Sequence, residues 1–397
     1  MNSGWQTARL GDVLALLKNG LNCKQDKSGQ GQRISRIESI SLASFDLGRV
    51  GYAEISDQEK SKFRLLKGDI LFSHINSPIH VGKTAVFDVD DEVYHGVNLL
   101  LMRPTPAVSA AYLELYLKYL FEQGYWLSVC KQSVNQASVN QQDISRVPIA
   151  YPVDLEEQRR IVAILDEAFE GIATAKANAE KNLDNARALF NSHLNSVFTQ
   201  RGDGWVDTSI GDAYDVRDGT HTSPKYHDTG YPLITSKNLK RSGLSFDDVK
   251  LISEHDFNKI SERSAVHKGD VLFAMIGTIG NPTLVLVEPD FAIKNVALFK
   301  VPSSQSGAFL RYYLGSDRVI SKMTQEAKGT TQKFVGLGYL RAFPIAIPPR
   351  ETQAAIVARL DDLTDQVVLL EGIYEQKLAA LEALKKSLLH QAFSGEL

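Results

Sequence analysis

The chain has 397 residues, 43% hydrophobic and 23% charged, with a net charge of −3, which places it with ordinary globular proteins of two or three domains and against disordered or fibrous classes. Its two cysteines, Cys23 and Cys130, are too few for a disulfide framework or a thiolate metal site and suit a reducing, cytoplasmic setting. The amino-terminal stretch lacks a basic-then-apolar leader pattern, and no run of about 18 apolar residues occurs, so neither a secretory signal nor a membrane span is expected.

Taken in chain order, the elements come twice. Gly4-Trp5 is answered by Gly204-Trp205, and Leu10-Gly11-Asp12 by Ile210-Gly211-Asp212. The run K-G-D-I-L-F at 67–72 returns as K-G-D-V-L-F at 268–273, P-I-A-Y-P at 148–152 as P-I-A-I-P at 344–348, and Q-R-R-I-V-A-I-L-D at 158–166 as Q-A-A-I-V-A-R-L-D at 353–361. A repeat of about 200 residues is too long for a solenoid, whose units run about 20–50 residues, and describes two similar domains on one chain. Such a pseudo-two-fold object suits a two-fold partner, of which duplex DNA is the commonest.

The pattern divides the chain into a first mixed α/β head over 1–153, a long helix over 154–199, a second head over 200–349 and a second long helix over 350–397. Strands are expected at 69–74, 84–87, 97–103, 270–275, 283–287 and 296–301, and single helices at 110–122 and 307–323. Between the heads the apolar residues step by three and four. The first stripe runs through Ile161, Leu165, Ile172, Leu183 and Leu189, and the second through Ile356, Leu360, Leu363, Val367, Leu370, Leu381, Leu384 and Leu388. These are heptad-like seams, and each helix of about 45 residues makes a rod of roughly 65 Å. Prolines at 148, 152, 344, 348 and 349 stop what precedes each rod, and acidic residues suit each helix start. An antiparallel pairing of the two helices follows if the heads lie at opposite ends.

Charge divides along the same lines. Residues 1–153 carry 16 Lys+Arg against 15 Asp+Glu and residues 200–349 carry 18 against 16, while each helical stretch carries 5 against 8. Phosphate binding needs local basic patches rather than a basic chain, so this balance leaves DNA open.

The heads differ in their loops. The segment 218–226 (D-G-T-H-T-S-P-K-Y) has no clear match in the first head, and 131–136 (K-Q-S-V-N-Q) stands where the second head has 328–333 (K-G-T-T-Q-K). Amides, hydroxyls and basic groups are the side chains whose geometry reads base edges. On residue type and loop position the candidates in the first head are Lys24, Arg33, Arg36, His74, Asn76, Lys83, Asn98, Lys131, Gln132, Asn135 and Gln136. In the second they are Thr220, His221, Lys225, Lys237, Asn238, Asn281, Lys294, Thr330, Thr331, Gln332 and Lys333. Catalytic signals are missing. There is no phosphate-cradling G-x-x-x-x-G-K-[ST] loop, Asn281-Pro282-Thr283 lacks the second proline and aromatic of an amino-methyltransferase motif, and His221 and His227 do not have metal-pair spacing.

The helix entries at 148–166 with Gln158 and at 344–361 with Gln353, the tail L-H-Q-A-F-S-G-E-L at 389–397 echoed at 194–199, the two K-G-D-[IV]-L-F runs and the D-G-T-H-x-S-P segment together resemble the specificity subunit of type I restriction–modification systems. The resemblance covers nearly the whole chain and implies an α+β architecture of two tandem target-recognition domains separated by an antiparallel coiled coil. Each head would read half of a split DNA site. The helices, with Gln158 and Gln353 at their entries, would set the spacer and dock two modification (methyltransferase) subunits, and restriction/translocase subunits would join. No cofactor is expected on this chain; S-adenosylmethionine would sit on the modification subunit, which flips and methylates an adenine. Two other classes stay open on the residues alone: a coiled-coil scaffold whose heads bind protein, and an enzyme with an unrecognised active site.

Overall fold

The computed structural model describes residues 4–41, 44–133 and 135–397. Met1, Asn2 and Ser3 of the amino-terminal stretch and Val134 of the segment 131–136 lie outside them. The chain forms two compact units, one of residues 1–179 with 376–397 and the other of residues 180–375. Each unit therefore contains one head and a part of each long helix.

The first unit is built on a four-stranded antiparallel sheet in the order Leu14–Asn19, Leu100–Pro104, Asp69–Phe72, Thr84–Phe87. All four residues of Asp69–Phe72 are buried, because that strand is covered on both faces and reads as a continuous apolar run rather than an alternation. The turn ahead of it explains the K-G-D motif. Gly68 sits at φ +86°, a conformation that favours glycine. Asp69 then accepts from the Leu66 amide at 2.8 Å and from Arg103 on the neighbouring strand at 2.6 Å. Beside this sheet lie an antiparallel pair, Trp5–Arg9 with Pro148–Pro152, and a three-stranded sheet in which Gln32–Ile34 runs parallel to Val93–Tyr94. Helix Ala110–Glu122 starts at an N-cap serine, Ser109, whose side chain accepts from the Tyr112 amide.

The second unit repeats the plan. Its sheet runs Asp215–Asp218, Val296–Lys300, Val271–Ala274, Gly280–Leu284. Gly269 stands at φ +91°, and Asp270 takes the His267 amide and the Lys300 ammonium. Strand Tyr231–Ile234 pairs parallel with Ala292–Ile293, as in the first unit. Where one helix was expected over 307–323 there are two, Gly307–Gly315 and Asp317–Glu326. Ser316 between them is extended, and its hydroxyl donates to the Tyr313 carbonyl, so Gly315-Ser316 acts as a stop and restart rather than a helix interior.

The long helices are Leu155–Thr199 and Arg350–Ser394, 45 residues each. In each unit they run antiparallel. In the first, Ile161 and Leu165 share the core with Leu389, Ala392 and Phe393, and Lys176 meets Glu382 at 2.7 Å. In the second, Leu194 packs with Leu360 and Arg187 meets Glu371 at 2.7 Å. The repeated tail motif now has a reason. Phe393 meets the rings of Tyr112 and Tyr116 at 5.4 and 5.1 Å, and Phe198 meets Phe309 and Tyr313 at 5.4 and 5.3 Å. Each head helix thus holds a phenylalanine from the carboxyl end of a long helix.

Gln158 and Gln353 are buried clamps. The Gln158 oxygen accepts from the Ser109 amide at 2.8 Å, and its nitrogen donates to the Ala107 and Pro152 carbonyls. Gln353 accepts from the Ser306 amide at 3.0 Å and donates to Pro348 O and Gln305 Oε1. They fasten each long helix to its own head, and leaving such a buried amide unpaired costs about 1–3 kcal/mol. Ile172, Leu183, Ile356, Leu363, Leu381 and Leu388 are half-buried along the seams. Leu370, read as a seam position, is instead exposed, as are Leu189 and Leu384. Their neighbours Phe190, Glu371 and Lys385 turn inward.

Candidate nucleic-acid interface

Strand register decides which loops share a surface. In the first head Asn19 pairs with Leu100, Leu100 with Phe72, and Phe72 with Thr84. The chain leaving or entering these four residues forms one cluster at one end of the sheet. It comprises the segment after Asn19 with Lys24, the segment 73–83 with Asn76 and Lys83, Asn98, and the hairpin of Lys131–Ser133 with Gln136–Ser138, which pairs with Ile75–Asn76. The K-G-D turn lies at the opposite end, where Leu14 pairs with Pro104 and Asp69 with Phe87.

The second head gathers the equivalent loops. Asp218 pairs with Ala297, Ala297 with Phe273, and Ala274 with Gly280. At this end lie Thr220, His221 and Lys225, Asn281, Lys294, and the loop 328–334 carrying Thr330, Thr331, Gln332 and Lys333, which is closed by the Lys328 and Phe334 backbones at 2.8 and 3.0 Å. Val139 donates to the His74 carbonyl and Val335 to the Met275 carbonyl, both at 2.9 Å. The hairpin of one head and the loop of the other therefore occupy the same place.

Side chains at these ends divide by whether they are already engaged. Lys24, Asn98, Lys131, Gln132, Asn135 and Gln136 are exposed, as are Lys225, Thr330, Thr331, Gln332 and Lys333. Several candidates are turned to structural use. His74 is buried, its Nδ1 has no hydrogen-bond partner among the described residues, and burial pushes its pKa down to about 4. Asn76 spends its amide on Ser73 Oγ and the Ser77 amide. Asn238 is buried and bonds Thr235, Ser245 and Asp247, and Asn281, at φ +48°, donates to the Leu239 carbonyl. Lys83 and Thr220 are half-buried, and Lys294 reaches Ser223 Oγ. Arg33 and Arg36 belong to the three-stranded sheet and its exit, where Asp91 and Glu38 hold them; Lys237 lies in the turn Ser236–Asn238.

His221 is the best-anchored of all. Its Nε2 meets Asp218 Oδ2 and its Nδ1 meets Asn295 Oδ1, both at 2.8 Å, while Arg263 closes on the other oxygen of Asp218. Asp218 itself is buried. The D-G-T-H segment is thus a braced loop. It also has the counterpart that the linear repeat conceals. Gly219 lies so close to the Ile293 carbonyl that an added Cβ would be 2.1 Å from its oxygen, and Gly20 lies equally close to Gly96, at 2.2 Å. Leu21 donates to the His95 carbonyl and accepts from Val97, as Thr220 does with Ile293 and Asn295. The first head therefore does hold a matching segment, 19–22, in which only the glycine survives as a sequence signal.

Against known proteins, the model of the type I restriction modification DNA specificity domain matches residues 2–183 and again 202–377. The chain is 29% identical over 412 residues to the type I restriction enzyme MjaX specificity subunit of Methanocaldococcus jannaschii, covering 99% of this chain and 93% of that one. It is 27% identical over 192 residues to the EcoKI specificity subunit of Escherichia coli K12, covering 47% of this chain and 40% of that one. Among solved structures, the fold resembles a chain from a type I R-M system described for its complex assembly and conformational transition (TM-score 0.80, 20% identity, 100% and 99% covered). It also resembles the HsdS subunit from Thermoanaerobacter tengcongensis (TM-score 0.65, 20% identity, 100% and 98% covered). With two matched domains, loops gathered at one end of each, and relatives along its whole length, the chain belongs to the specificity-subunit family of type I restriction–modification systems.

Proposed function

We propose that each head of this chain reads one half of a bipartite duplex site, and that the long helices set the gap between the halves and dock two modification subunits. The adenine methylation belongs to those subunits, which carry S-adenosylmethionine, and restriction/translocase subunits join the same complex. This chain supplies the address and not the chemistry. The observation that carries the reading is that one framework is built twice and presents different side chains at the same sheet end. A common scaffold with divergent loops is what two different half-sites require. Exposed amides such as Gln132, Asn135, Gln136 and Gln332 have the paired donor and acceptor that match adenine in the major groove, while Lys24, Lys131, Lys225 and Lys333 suit phosphates.

A second observation supports docking. On the second long helix Val368, Leu369 and Ile373 are 59%, 66% and 49% exposed, an apolar strip that water disfavours and a partner helix would cover. The test of the whole reading is genome-wide mapping of N6-methyladenine in the source cell with and without this gene. Loss of a single split motif, two fixed blocks around a constant gap, is expected. An unchanged set of methylated motifs in a cell that expresses the chain and its modification subunit refutes it.

A further inference from the structure

We infer that Asn22 reads an adenine in the half-site of the first head, and so sets specificity at a position the linear repeat does not mark. The inference rests on the proposed function and adds a residue to it.

The argument begins with backbone equivalence. Asn19 pairs with Leu100 as Asp218 pairs with Ala297, and both strands end there. Gly20 and Gly219 follow, each pressed against the backbone of a neighbouring strand's exit, where no side chain fits. Leu21 and Thr220 then make the same pair of backbone hydrogen bonds, at 2.8 and 3.0 Å in one head and 3.0 and 3.1 Å in the other. Asn22 consequently holds the place of His221. Even the residue before the first of these positions is matched in use: Lys18 donates to the Lys62 carbonyl and Arg217 to the Arg263 carbonyl, near the carboxyl ends of helices Asp57–Phe63 and Glu254–Ser264.

The two heads use that place differently. In the second, both ring nitrogens of His221 are occupied by Asp218 and Asn295, so the imidazole braces the loop and has no hydrogen bond to offer a base. In the first, the three bracing positions carry Asn19, Val97 and Lys62, and none of them bonds to Asn22 among the described residues. Asn22 is exposed, on a backbone fixed just before it by the close approach of Gly20 and the two hydrogen bonds of Leu21. A carboxamide with a free donor and a free acceptor on a rigid loop is the group that pairs bidentately with adenine N6 and N7. Asn98 follows Val97, whose amide bonds Leu21, and Lys24 lies two residues on; both are exposed, so the amide stands beside a second amide and a phosphate-binding charge.

The experiment uses the full chain assembled with its modification subunit, methylating a library of duplexes randomised at each position of the site. For the unaltered complex the library returns a split motif; if it returns none, the proposed function fails first and this inference with it. Given that motif, Asn22→Ala is expected to lower the preference for adenine about tenfold at one position of one half-site, with the other half unchanged. Asn22→Asp, which accepts but no longer donates from that atom, is expected to move the preference there toward cytosine. Position-by-position preferences unchanged in both variants would overturn the inference, whether or not the overall rate falls. So would loss of all methylation in both variants while the modification subunit still binds, because removing a base reader relaxes the preference at one position and leaves duplexes to be methylated.

Discussion

His74 and His95 stand where the second unit has Met275 and Ile293, as shared backbone hydrogen bonds to Val139 and Val335, and to Leu21 and Thr220, show. Both imidazoles are inside and each is lowered to about 4, by burial first and, for His95, to a lesser degree by the charges of Lys18 and His74. A histidine that is harder to protonate folded than unfolded contributes stability that is complete above its unfolded value of 6.5. That contribution is lost as pH falls toward 4, because the unfolded chain then takes up protons the folded one refuses. By pH 5 the loss is at most about 2 kcal/mol for each imidazole. The second unit has apolar side chains at both places and lacks this term. Hydrogen exchange at pH 7 and pH 5, corrected for intrinsic rates, should therefore show protection falling roughly tenfold or more in Asp69–Phe72 but not in Val271–Ala274. His74→Met should remove part of the difference. Equal losses in both units would show that these histidines do not govern acid sensitivity.

Among the elements, what the sequence made readable was what obeys a period. The long helices start within a residue of where the proline stops put them, the second ending at Ser394 rather than at 397, and Ala110–Glu122 lies where a single helix was expected. On the second long helix the seam drifted where the inward residue is charged. Apolar stepping chose Leu370 and Leu384, but Glu371 and Lys385 take those places because Arg187 and Glu122 meet them at 2.7 and 3.4 Å. Pattern alone has no means of anticipating an ion pair with a distant residue. The loop segment 19–22 was missed for a related reason, since its likeness to 218–221 is carried by backbone hydrogen bonds and one glycine. The exposed side of the second long helix has its own consequence. Leu369→Glu with Ile373→Glu should leave the thermal midpoint nearly unchanged, as exposed substitutions usually do. The same pair should weaken capture of the modification subunit by roughly tenfold or more, a cost typical of central apolar contacts. Undiminished capture would mean that the docking surface lies elsewhere on the chain.

For the molecule as a whole, modularity is a claim about where the chain can be cut. Replacing residues 200–343 by the corresponding head of a relative keeps both long helices and the whole first unit. Among the contacts it divides within the second unit are strand Val206–Ser209 with its partner Pro344–Ile347, Phe309 and Tyr313 with Phe198, and the Ser306 amide with Gln353. The first is backbone pairing and tolerates most sequences. The other two require a donor head with an aromatic pair at the positions of Phe309 and Tyr313 and a helix start at that of Ser306, so donors should be chosen by those residues rather than by overall identity. With such a donor, the methylated motif should change in one block while the other block and the gap stay as they were. The gap is the informative part. It is kept because the helices are kept, and a change in it would mean that spacing is set inside the head. A change in both blocks, or in neither, would mean that the two heads do not read independently.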